Sequence, residues 1–126
     1  MRASLLTALF LAIALVNGCS RSGDFGAFFV KEVTRCGGRI DPNASLPKLE
    51  AKWTVKADEN GFVAYVSGVP WSAVDAVIQQ ALGKDKAYIM HGRVYGAAKP
   101  GVGVTLSWIF LEGRTKIICT RGESTL

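Results

Sequence analysis

The chain has 126 residues, 49% hydrophobic and 20% charged, with 15 Lys and Arg against 10 Asp and Glu for a net charge of +5. That length suits one domain, and the lack of any internal repeat or low-complexity tract argues against a repeat array or a disordered tail. The single histidine and three cysteines stand nowhere at paired ligand spacing such as C-x-x-C or H-x-x-x-H, and no glycine-rich stretch leads into G-K-[ST], so no metal, nucleotide or other cofactor is expected.

In chain order, Met1 and Arg2 precede an apolar run from Ala3 to Val16 broken only by Ser4 and Thr7. A charged start followed by so short a run reads as a secretory signal, because a bilayer-spanning helix needs roughly 20 apolar residues. Val16, Asn17, Gly18 and Cys19 follow, and this stretch resembles the lipobox of bacterial lipoproteins, in which a peptidase cuts before a cysteine whose thiol carries a diacylglycerol. The resemblance covers residues 1–20. It implies that residues 1–18 are a leader, that Cys19 is the lipidated N-terminus, and that residues 19–23 form a short tether to the membrane. Ser20 stands where, in the resembling family, an Asp would favour inner-membrane retention, which implies the periplasmic face of the outer membrane. An ordinary secretory signal with Cys19 an incidental thiol is the alternative. Cysteine arithmetic favours the anchor, since lipidating Cys19 leaves Cys36 and Cys119 as an even pair. Two acyl chains hold a protein stably where one holds it marginally, at about 0.8 kcal/mol per buried methylene.

Export implies an oxidising compartment, where a bridge between Cys36 and Cys119 persists. Closing the chain between residues 36 and 119 contributes on the order of 4 to 5 kcal/mol in the loop-entropy model. Residues 24–35 place Phe25, Phe28, Phe29 and Val33 at helical spacing behind Asp24 as a cap, with Gly37 and Gly38 to stop the helix. A loop is expected over residues 41–47, then a hairpin with strands at 52–56 and 62–67 around a turn at 57–61.

The strongest helical pattern lies within residues 69–83, where Val74, Val77, Ile78, Ala81 and Leu82 share a face, Ser72 and Asp75 resemble a capping box, and Gly83 marks the end. Strands are expected at 87–95, 102–111 and 115–121, with Glu112 and Gly113 as a tight turn and residues 96–103 as a longer, mobile hairpin loop. On the second of these strands Val104, Leu106, Trp108 and Phe110 form the more apolar face, which should meet the helices. The expected fold is therefore α+β: one domain over residues 24–126, with a mainly antiparallel sheet of about five strands and both helices on one face. The order is helix, two strands, helix, three strands.

No catalytic constellation stands out. His91, in the strand, is the single candidate base, and the acids fall mostly at turns and helix ends, where they cap and solubilise. A small envelope hydrolase using His91 with a carboxylate is the alternative to a non-catalytic binding or accessory module. The basic excess, one unit lower without Arg2, favours anionic envelope components or an acidic protein as partner, with no role in binding nucleic acid. It argues against inhibition of lysozymes, which are themselves basic. Binding residues concentrate on loops, and Lys99, with Arg93 and Tyr95 on the preceding strand, is expected to form the basic and aromatic edge of a partner-binding surface.

Overall fold

The computed structural model describes residues 20–83, 87–91, 95–101 and 103–121, with side chains over 20–83 and 103–121. Nine elements follow one another: β1 (Arg21–Asp24), α1 (Phe25–Arg35), β2 (Glu50–Asp58), β3 (Gly61–Ser67), α2 (Trp71–Leu82), β4 (Ala87–His91), β5 (Tyr95–Gly101), β6 (Val104–Leu111) and β7 (Arg114–Arg121). The domain is α+β, and the seven strands form one sheet in the order β1-β2-β3-β7-β6-β5-β4 with every neighbouring pair antiparallel. Helix α2 carries the chain from β3 to the far edge, and the β4 to β7 meander returns so that β7 pairs with β3. Among the described residues, no helix is long and apolar enough to cross a membrane.

The expected five strands become seven. One addition is β1, which occupies most of the segment taken as a tether and leaves only Ser20 between Cys19 and the sheet. The other is β5: residues 96–101 of the expected mobile loop form a strand instead, because Tyr95–Gly101 pairs with β4 on one side and β6 on the other. The register with β6 slips between Ala98 and Gly101. Pro100 lies in that slip, where a residue with no N–H to donate is tolerated. The strand expected over 87–95 correspondingly ends at His91, and Tyr95 belongs to β5.

Both helices cover one face of the sheet. Helix α1 starts as its sequence indicates: the Asp24 carboxylate accepts from Ala27 N at 3.3 Å and from Leu49 N at 3.1 Å. It ends in a Schellman arrangement, Gly37 N donating to Thr34 O and Gly38 N to Val33 O, with Gly37 at φ 97°. Phe25 and Phe29 are fully buried, and Phe28 stacks on Trp53 of β2 at 4.5 Å. Helix α2 ends at Gly83 as expected, but its N-cap is Pro70, with no side-chain cap bond, so Ser72 and Asp75 form no capping box.

Val74, Val77, Ile78, Ala81 and Leu82 of α2 pack with Ala64 and Val66 of β3, Val104, Leu106 and Trp108 of β6, and Ile117 and Cys119 of β7. Phe110, expected on the apolar face, stays 45% exposed. The β6–β7 turn has Glu112 at φ 52° and Gly113 at φ 79°, the paired positive angles of a two-residue hairpin that matches strand twist. The β2–β3 turn is equally short, with Asp58 Oδ1 accepting from Asn60 N at 2.7 Å.

Candidate functional site

Alternation along the strands sends every second residue to the face opposite the helices. Pairing then fixes the neighbours across the strands. One row holds Lys56, Val63, Ile118 and Ser107, and the next holds Thr54, Tyr65, Lys116 and Ile109. A third begins with Lys52 and Ser67 on β2 and β3 and ends with Arg114 and Leu111 on β7 and β6. Among the described residues nothing covers this outer face. Val63, Tyr65, Ile109, Lys116 and Ile118 are half-buried, and Lys52, Lys56 and Arg114 are exposed.

At its centre the Arg114 guanidinium carbon lies 4.4 Å from the centroid of the Tyr65 ring and Lys116 Nζ lies 5.7 Å from it. Cation–π attraction of this kind contributes about 0.5–1 kcal/mol at an exposed site, enough to bias where the two cations stand. The ring face is therefore occupied by cations, which makes Tyr65 a positioning group rather than a stacking platform for a base or sugar. Beside it, an open groove of about 980 Å3 is lined by Thr54, Lys56, Asp58, Tyr65, Lys116 and Ile118, among others. Glu50 and Asp58 stand at the two ends of β2. Among the described residues no carboxylate pairs with Lys52, Lys56, Arg114 or Lys116; the ion pair found there is Arg35 with Glu32, on α1 at 3.4 Å.

The helix side holds polar groups of a different kind. Asp75 accepts from Trp108 Nε1 at 2.7 Å and from Gln79 Nε2 at 2.7 Å, tying α2 to β6, and Trp71 Nε1 donates to Trp108 O at 3.3 Å. The sequence pattern points Asp75 to a cap, a place that Pro70 takes instead. The overlooked signal was Trp108 on an apolar face, since a buried indole N–H needs an acceptor.

Cys36, at the end of α1, and Cys119, on β7, are both buried and both free thiols whose side chains are hydrogen-bonded neighbours. Burial, reinforced by the Cys36 thiol, pushes the Cys119 thiol far above its ordinary range, with Arg121 opposing in part. Arg121 also closes the C-terminus of α1, donating from Nε to Cys36 O at 3.2 Å and from Nη2 to Arg35 O at 3.0 Å. Next to them a recess of about 100 Å3 is lined by Glu32, Arg35, Cys36, Asp58 and Phe62. Glu32 is buried there with Oε2 unpartnered among the described residues.

The remaining sequence candidates fall elsewhere. Cys19 and Arg93 lie outside the described residues. The backbone of Tyr95 is opposite His91 and Ile109, and that of Lys99 is opposite Ala87, within β5 and not on a loop; the side chains of His91, Tyr95 and Lys99 lie outside the description. Among the described residues, no three His, Cys, Asp or Glu side chains gather as metal ligands. No family model, curated protein or solved structure matches the chain.

Proposed function

We propose that the chain is a lipid-anchored binding or accessory module of the bacterial cell envelope, acting by contact and not by catalysis. The observation that carries this reading is the one-sided fold: both helices lie on one face of the sheet, while the other face presents a groove, a Tyr65 ring flanked by two cations, and two more lysines. A broad, shallow, basic and partly apolar surface of this kind suits a macromolecular partner. The anchor rests on the lipobox resemblance at Cys19. Strand β1 begins two residues later, so an anchored Cys19 holds the β1 edge of the sheet at the bilayer surface. Ser20 favours the periplasmic face of the outer membrane. The neighbouring Cys36 and Cys119 thiols support a bridge in the exported protein, which would fasten α1 to β7.

Intact mass spectrometry of protein purified from membranes tests the reading. Expected are an N-terminus at Cys19 carrying two or three acyl chains, a mass two hydrogen atoms lighter than that of the reduced chain, and loss of anchoring in Cys19→Ser. An unacylated N-terminus at another residue would reject the anchored module.

A further inference from the structure

We propose that the outer face binds an extended acidic polypeptide segment of its partner, one whose contact residues run apolar, acidic, acidic at every second position. The inference rests on the binding-module reading and specifies its partner. On β7, Ile118, Lys116 and Arg114 succeed one another on the outer face at every second residue. In a strand that repeat is about 6.8 Å, and an extended peptide presents its own side chains at the same repeat. A peptide lying along β7 thus sets an apolar side chain against Ile118 and Val63, and two carboxylates against Lys116 and Arg114.

Lys56 lines the groove's other wall, and Lys52, about 13 Å from it by strand rise, extends the positive field along β2 beyond the groove. Glu50 and Asp58 lie at the ends of β2 and bound the region where acids are attracted. The Arg114 guanidinium and Lys116 ammonium are held near Tyr65 and not by a carboxylate, so binding an acid breaks no existing ion pair. The same contacts disfavour ring-stacking ligands, because the Tyr65 face is occupied. The concavity of the groove favours a chain seated within it over a flat lipid surface, which would meet its rims first.

The full-length protein in neutral detergent is titrated, by fluorescence anisotropy, with a labelled dodecapeptide repeating Val-Thr-Glu-Thr-Glu-Thr. The same peptide with Lys for Glu is the charge control, and water-soluble dihexanoyl phosphatidylglycerol is the lipid control. The acidic peptide is expected to bind, more weakly as salt rises, and Arg114→Glu/Lys116→Glu is expected to weaken it about tenfold or more while gaining affinity for the Lys peptide. Lys52→Glu/Lys56→Glu, at exposed positions, gives a smaller loss in the same direction and serves if the first variant does not fold. Equal binding of the acidic peptide by folded variants would overturn the proposal, as would its failure to bind wild type. Binding of the phosphatidylglycerol alone would assign the face to anionic lipid instead. All these outcomes leave the mass-spectrometric test of the anchored module independent.

Discussion

The two faces of the sheet are made by the same strands and differ in what their polar groups do. On β3, Phe62, Ala64 and Val66 are buried beneath the helices, while Val63, Tyr65 and Ser67 alternate with them on the open side. On the helix side two charged groups tie elements together: Asp75 accepts from Trp108 and Gln79, and Arg121 donates to the last carbonyls of α1. On the open side Lys52, Lys56, Arg114 and Lys116 have no carboxylate partner among the described residues. One face thus carries stability and the other carries unspent charge. Substitutions on the two faces should separate folding from binding.

The largest expected effect is Trp108→Ala. It opens a cavity under α2 and removes one of the two donors of Asp75, leaving Gln79, and about 3–5 kcal/mol of stability should disappear in denaturant unfolding. Next comes the bridge proposed between Cys36 and Cys119, free thiols in this structure: where it forms, reduction should cost about 4 kcal/mol, and two free thiols in alkylated, natively exported protein would show that no bridge forms. Asp75→Ala leaves the Trp108 indole N–H and the Gln79 amide without this acceptor and should cost about 2–3 kcal/mol.

A smaller effect concerns pH in the reduced protein. The fold holds the Cys119 thiol neutral, whereas the unfolded chain ionises from its ordinary value of 9.0. Stability is therefore undiminished below pH 9.0 and falls as pH rises above it, by up to about 1.4 kcal/mol per pH unit from this group. Bridged protein should lack this slope in alkaline melts. Least of all, Lys52→Glu/Lys56→Glu should shift stability by no more than about 0.5 kcal/mol per site. A large loss there would mean that the open face also carries folding energy.

Much of the helix side was legible in the sequence because it obeys local rules. Asp24 caps, Gly37 takes a positive φ, the α2 stripe repeats at 3.6, and Val104, Leu106 and Trp108 alternate at two. Strand β5 was not legible, because Gly96, Ala97, Ala98 and Pro100 have little intrinsic preference for a strand. Its ladder bonds come from β4 and β6, so tertiary context decides. Four-residue β1, containing Ser22 and Gly23, is similar, since its pairing with β2 reaches across the whole of α1.

An aromatic residue flanked by cations stands at Tyr65, Arg114 and Lys116, while the side chains of the expected edge, Arg93, Tyr95 and Lys99, lie outside the description. The adjacency of Tyr65 and Lys116 is not legible in the sequence, because it depends on β3 pairing with β7, and four elements intervene between them in sequence.

The central claim, that the open face is where a partner sits, is tested most directly by photo-crosslinking in native membranes from matched positions on the two sides. A benzophenone amino acid is placed at Thr54 or Ile118 on the open face, and at Lys31 of α1 or Gln80 of α2, both exposed on the helix side. Discrete crosslinked species should arise from Thr54 and Ile118 and not from Lys31 or Gln80. Crosslinks of equal yield from both sides, or from the helix positions alone, would contradict the account.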